Sequence, residues 1–321
     1  MSKEIIKNGK EVIDLQIKAL RKLRNSINKS FIDAVNQIAK CKSKVIICGV
    51  GKSGKIASKI SSTLSSVGTP SFSISANDCS HGDLGKISNR DILILISNSG
   101  NTNELKNIIR YAKINKIYLI GIVSNSNSYL YKTSKIKLLI PDVKESGLGI
   151  VPTSSTTAQL ALGDALCISI MMKKKFSKLD FKRFHPAGNL GNKLKTGLDV
   201  MQINKKIPFV SENMIMKNAI KILKKKNQGF LVVINDQKLL SGVLTDGDLK
   251  RILQKKIFSQ DKKIKNFMTK KPYMVDKNML ASDILKLMNK KKITNICVYD
   301  KINKKKVIGI IHIHNLLNVL S

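Results

Sequence analysis

Tryptophan is absent, and aromatic residues make up only 5% of the 321 positions. Proteins that grip single-stranded nucleic acid stack bases on aromatics set among basic residues, and no long stretch of that kind occurs. Arginine is nearly as scarce: Arg21, Arg24, Arg90, Arg110, Arg183 and Arg251 are the only arginines among 58 basic residues. Arginine is the better bidentate reader of phosphates and bases, so its scarcity weakens a nucleic-acid reading. The five cysteines are odd in number and include no CxxC pair. That argues against a disulfide framework or zinc ribbon and for reduced thiols in a cytoplasm. Histidine is limited to His81, His185, His312 and His314, with no HxxxH or Cys/His spacing for a structural metal. No apolar run approaches the ~18–20 residues of a membrane span. The longest, Ala158 to Met172, is broken by Asp164. Glu4, Glu11 and Asp14 occupy the stretch where a signal peptide would need an apolar core. The expectation is a cytoplasmic protein with no membrane partner.

What is present is lysine and branched aliphatic residues. The net charge is +37, with 42% apolar residues. The lysines are spread over both halves beside abundant Ile and Asn, the drift expected of an A+T-rich genome. A positive field of this size still draws in anionic small molecules. The length predicts two domains. Residues 3–41 read as two helices. The runs 44–48, 70–74, 92–96, 116–123 and 135–140 are short, apolar and β-rich, separated by helical stretches. That alternation predicts a doubly wound parallel α/β sheet covered on both faces. A long helix follows over 154–172. The first domain is placed at 1–198 and the second at 199–321. The second holds a repeat, about 199–258 and 264–321: GVLTDGDLKRIL at 242–253 matches GIIHIHNLLNVL at 309–320. Each copy reads helix, strand, strand, helix, an α+β module too small to fold without its twin.

Three loops carry candidate chemistry. Gly49-Val50-Gly51-Lys52-Ser53-Gly54 follows the first strand with GxGxxG spacing. A dinucleotide fold would want an acid at the end of the second strand, where Ser75 and Ala76 stand instead. A Walker loop would want Gly at position 46, which is Ile. What remains is a backbone that can approach a ligand at a helix N-terminus, with Gly51, Lys52 and Ser53 aimed at it. The second loop, Ser97-Asn98-Ser99-Gly100-Asn101-Thr102-Asn103-Glu104, offers hydroxyls and amides as a phosphate cradle. The third, Pro152 to Thr157, opens the long helix with Ser154, Ser155 and Thr156. Capping alone would account for any one of them.

SNSGNTNE resembles the phosphate loop of sugar isomerase (SIS) domains. With GVGKSGKIASK, HGDLG at 81–85, PTSSTTAQLALGDAL at 152–166 and HPAGNLG at 185–191, the chain is similar to the bacterial D-arabinose 5-phosphate isomerase family. The C-terminal repeat resembles a pair of CBS motifs. The resemblance implies interconversion of D-ribulose 5-phosphate and D-arabinose 5-phosphate, feeding Kdo synthesis for lipopolysaccharide or capsule. It also implies a homotetramer with sites built between subunits, and no required cofactor. By motif match the catalytic lysine falls on Lys52, the two glutamates on Glu104 and Glu145, and the histidine on His185. Ser97, Ser99 and Thr102 match phosphate contacts, and His81 lies in a matched motif that can hold inhibitory zinc, with His185 as its partner. Two details depart from the family. The stretch after Glu145 is one residue shorter, and Asp78 stands where a glutamate precedes the HGD run.

An aldose–ketose isomerisation needs a base, an electrophile for the enediolate and a water-poor site. Lys52 suits the electrophile. Glu104 or Glu145 suits the proton shuttle, and His185 either opens the sugar ring or is itself the base. In the first CBS copy Gly242, Thr245 and Asp248 keep a pattern that contacts nucleotide, whereas the second has His312 and Asn315 there. A nucleotide effector is therefore expected at Thr245 and Asp248. An isomerase for another sugar phosphate and a non-catalytic sugar-phosphate sensor are the competing readings.

Overall fold

The computed structural model describes residues 2–185, 191, 194–226, 229–254 and 258–320. The chain divides into two compact units, Met1–Phe184 and His185–Ser321.

The first unit begins with helices α1 (Ser2–Ser26) and α2 (Lys29–Lys40), the latter capped by the Asn28 side chain. Strands β1 (Val45–Gly49), β2 (Ser71–Ser75), β3 (Ile92–Ile96), β4 (Tyr118–Val123) and β5 (Ile136–Leu139) follow. Between and after them run α3 (Lys52–Ser66), α4 (Ala76–Cys79), α5 (Asn103–Ile114), α6 (Tyr129–Thr133), α7 (Ser154–Lys173) and α8 (Lys178–Phe184). The five strands pair in the order β2-β1-β3-β4-β5, all parallel. β1 and β3 are neighbours in the sheet but not in sequence, which makes their junction the topological switch point of a doubly wound sheet. Ligands of such folds bind outside the carboxyl ends of the strands at that point.

The central strands β1, β3 and β4 are buried on both faces, and their alternate residues divide between two cores. Val45, Ile47, Ile92, Ile94 and Ile96 pack with Ala57, Ile60 and Leu64 of α3 and Ala158, Leu162 and Ile170 of α7. Ile46, Cys48, Leu93 and Leu95 pack with Leu105, Ile108 and Ile109 of α5 and Leu130 of α6. A fully buried Ile contributes about 1.5–3 kcal/mol relative to exposure. Ile47, Leu93, Leu95 and Ile120 are all wholly enclosed. By length and composition α7 passes for a membrane span, but its Leu162, Leu166, Cys167 and Ile170 belong to the first of these cores. The apolar stripe expected along α1 is used only in part: Ala19 and Leu23 are buried, whereas Ile5, Ile6 and Ile13 are exposed.

The second unit holds two three-stranded sheets, β6 (Phe209–Ser211), β7 (Phe230–Ile234) and β8 (Leu240–Thr245), then β9 (Met274–Asp276), β10 (Asn295–Asp300) and β11 (Asn303–His312). The helices Met216–Lys226, Asp246–Gln254, Ala281–Lys291 and Ile313–Leu320 alternate with them. Phe230, Val232, Val243, Cys297 and Ile310 of both sheets share one core, so the copies do bury each other. Each copy opens with a three-residue strand that the sequence reading did not contain. Residues just before the expected boundary at 198 make backbone bonds into the second repeat. The Lys195 carbonyl accepts from the Ala281 amide at 2.7 Å, and the amides of Gly197 and Leu198 donate to the carbonyls of Met279 and Lys277, which ties this segment to the second unit.

Candidate active site

At the switch point, the loop after β1 turns on three glycines with distinct jobs. A Cβ on Gly49 would lie 2.8 Å from the Ser53 backbone, and one on Gly54 would lie 2.7 Å from the Gly49 carbonyl oxygen. The end of β1 and the first turn of α3 touch there, and only glycine permits it. Gly51 sits at φ +57, in the left-handed region. The result presents Lys52, exposed, as the first residue of α3. Ser53 donates its hydroxyl to Gln159 Oε1 at 3.1 Å, and Gln159 is buried in α7. Gln159 escaped the sequence reading because a single Gln in an apolar helix carries no motif.

The loop after β3 is built from its own hydroxyls. Ser97 Oγ lies 2.8 Å from Thr102 Oγ1 and accepts the Gly100 amide at 3.0 Å, while Ser99 Oγ accepts the Asn101 amide at 3.3 Å. Gly100 has φ +67, and any Cβ there would run into the Ser128 hydroxyl. Its carbonyl accepts from the Leu130 amide, and Asn101 Oδ1 accepts from the Tyr129 amide, which fastens the loop to α6. Ser97 is buried and shapes the cradle; Ser99 is exposed and Thr102 half-exposed, on its surface. Thr102 precedes α5 as its N-cap residue but gives no side-chain cap bond, since its hydroxyl is engaged with Ser97. Glu104 is the second residue of α5 and is exposed. Its carboxylate makes no hydrogen bond among the described residues.

The third loop faces inward. Ser154 and Ser155 are buried, and the Thr156 hydroxyl donates to the Thr153 carbonyl at 2.9 Å. The amides of Thr153, Ser154 and Ser155 and the Thr153 hydroxyl in this loop are engaged by Glu145. Glu145 Oε2 accepts from the amide of Thr153 at 2.7 Å, its hydroxyl at 3.0 Å and the amide of Ser154 at 2.8 Å. Its Oε1 accepts from the Ser155 amide at 3.2 Å. The carboxylate thus supplies the negative charge that the N-terminus of α7 favours. Burial pushes its pKa up, but the bonds from Ser155 and Thr153 outweigh burial and hold it below the usual carboxylate range. Ser146 Oγ and Ser154 Oγ beside it are buried without a partner among the described residues.

His81 follows α4 and is exposed, with its amide donating to the Asp78 carbonyl. His185 opens the second unit and is half-buried. Positions 186–190 of the HPAGNLG run lie outside the described residues. Among the described residues no three His, Cys, Asp or Glu side chains stand together as a metal-ligand set.

In the second unit a cavity of about 850 Å³ lies between the two repeats, lined on one side by Thr245, Asp248 and Arg251 and on the other by His312 and Asn315. Asp248 Oδ2 accepts from the Thr245 amide at 3.0 Å and hydroxyl at 2.8 Å, and Oδ1 accepts from Arg251 at 2.5 Å. In the other copy His312 Nδ1 accepts the His314 amide at 3.2 Å. Burial, then His314, pushes the His312 pKa down.

Comparison with known proteins agrees with this geometry. The SIS domain model matches residues 37–169, and the CBS domain model matches 199–255 and 264–321. The arabinose 5-phosphate isomerase KdsD of Francisella tularensis is 39% identical over 98% of this chain and 97% of its own length. The KdsD of Yersinia pestis is 38% identical over 96% of this chain and 94% of its own. Among solved structures, c3406 of Escherichia coli CFT073 in complex with arabinose 5-phosphate matches with TM-score 0.56 and 35% identity, over 58% of this chain and all (100%) of that one.

Proposed function

Because the chain belongs to the family of SIS-domain arabinose 5-phosphate isomerases, we propose that it interconverts D-ribulose 5-phosphate and D-arabinose 5-phosphate through an enediol. The observation that carries this is the pairing of two loops at the β1/β3 switch point. One offers hydroxyls and amides suited to an anion, and the other, at the end of the neighbouring strand, presents exposed Lys52 on a glycine-shaped turn.

The chemistry follows from these groups. The phosphate docks on Ser99, Thr102 and the amides after Ser97. From the ketose, a carboxylate base takes a proton from C1 while Lys52 supports the oxygen of the developing enediolate. A proton then returns to C2, and the hydroxyl proton moves from O1 to O2, so atoms balance without an external redox partner. In the other direction the aldose must first open its furanose ring, one of the two tasks, with that of the base, that suit His185. We read the product as the pentose ester that feeds Kdo synthesis, and the working protein as a cytoplasmic homotetramer. The cavity at Thr245 and Asp248 is read as the site of a nucleotide effector.

Incubation of the purified chain with ribulose 5-phosphate, followed by NMR, is expected to yield arabinose 5-phosphate. Ribose 5-phosphate and hexose phosphates serve as competitors. Turnover of one of these instead would assign another sugar, and binding without turnover would make the protein a sensor.

A further inference from the structure

We infer that Glu145 is a positioning residue and that Glu104 is the carboxylate that moves the proton; this rests on the isomerase reading above. Both glutamates fall on family motif positions, Glu145 in a stretch one residue shorter than the family's, and their surroundings differ. Glu145 Oε2 holds three donors and Oε1 a fourth, all from Thr153, Ser154 and Ser155. Each of these bonds favours the charged form, so a proton arriving on that carboxyl would have to break them. Glu104 has no such commitments among the described residues. It is exposed, on the first turn of α5, immediately beyond the Ser97–Thr102 loop.

Glu145 has a different task that the contacts define. Thr153 Oγ1 donates to Glu145 and accepts from the Ser146 amide at 3.1 Å, so one hydroxyl ties both ends of the 145–153 loop. The loop turns through Gly147 and Gly149, both at positive φ, and its tip residues Leu148 and Ile150 are exposed. It returns to seat the first turn of α7. One turn further along α7, Gln159 holds the Ser53 hydroxyl in the glycine loop. The carboxylate of Glu145 therefore fixes where α7 begins, and α7 fixes where Ser53 and its neighbour Lys52 stand. Glu145 itself is half-buried, and the Ser154 hydroxyl in the turn that it caps is fully buried and unpartnered among the described residues.

The test compares Glu104→Gln, Glu145→Gln and Thr153→Val in the full chain with ribulose 5-phosphate in D2O. Glu104→Gln is expected to lower kcat by about 10²–10⁴-fold and to stop deuterium entering the sugar. Glu145→Gln is expected to lose about tenfold in kcat/KM while deuterium exchange and the pH–rate profile persist. Thr153→Val should reproduce that loss, and the double variant should lose little more than either single. If Glu145→Gln fails to fold, Thr153→Val decides alone. It removes a donor that favours the ionised carboxyl, so a shuttle at Glu145 would move the acid limb of the pH–rate profile upward. An unmoved limb supports positioning. A folded Glu145→Gln that loses exchange as completely as Glu104→Gln, or a shifted limb in Thr153→Val, overturns the inference. Absence of any turnover by the unmodified chain would instead overturn the isomerase reading on which it rests.

Discussion

Ser53 and Gln159 stand 106 residues apart in sequence and 3.1 Å apart in space, hydroxyl to amide oxygen. The bond crosses from the glycine turn to the buried face of α7 and makes two separate elements a single wall of the site. Replacing Gln159 with Leu keeps the bulk and removes the acceptor. The variant is expected to fold, with kcat/KM for the pentose ester reduced about 5- to 10-fold, the cost of one lost hydrogen bond. Steady-state kinetics beside a thermal melt checks it.

Gly100 is the tightest point of the phosphate cradle, at φ +67 with Ser128 against its α-carbon. Gly100→Ala meets both the left-handed penalty and the collision. It is expected to cost about 1–3 kcal/mol and to weaken inhibition by inorganic phosphate. Thr102→Val should raise KM about tenfold, because it removes a hydroxyl at the cradle's surface, and should lower the melting temperature modestly, because buried Ser97 loses its partner at 2.8 Å.

Acid stability should depend on Asp91, which is buried just before β3. Burial alone would raise its pKa, but bonds from Ser43 and Ser88 and the Lys44 ammonium at 3.1 Å hold it at about 2, below an ordinary 3.8. A depressed folded pKa means the contribution is complete above the unfolded value. It fades as pH falls from 3.8 toward about 2. Asp91→Asn is expected to lower unfolding free energy by about 2 kcal/mol at pH 7, with the gap to the unmodified chain closing toward pH 2. Urea unfolding across that range measures it.

The strands were largely legible in the sequence, because short β-rich runs in a doubly wound sheet are nearly continuous hydrophobics: β1 and β3 fall within one residue of the runs that predicted them. The two loops at the strand ends were legible as well, since glycine and hydroxyl residues cluster visibly. Gln159 and the tethering of Glu145 were not, because each depends on a long-range contact that no local pattern encodes. The inward turn of Ser154 and Ser155 was hidden for the same reason: a Ser/Thr run looks alike whether it meets a ligand or a carboxylate of its own chain. The three-residue strands β6 and β9 are too short to show a period.

The cavity between the repeats is chemically lopsided, with Asp248 and Arg251 facing His312 and Asn315. Calorimetry with adenine and cytidine nucleotides is expected to find one binding event per chain. Asp248→Asn should weaken it about tenfold or more by removing a charged acceptor. Silence across the panel would leave the repeats a purely architectural module.

The most direct test is proton NMR of the purified chain with ribulose 5-phosphate in D2O. The account predicts arabinose 5-phosphate bearing deuterium at C2, delivered through a carboxylate open to solvent. No arabinose 5-phosphate, or product whose C2 stays free of deuterium even after prolonged equilibration, would contradict it.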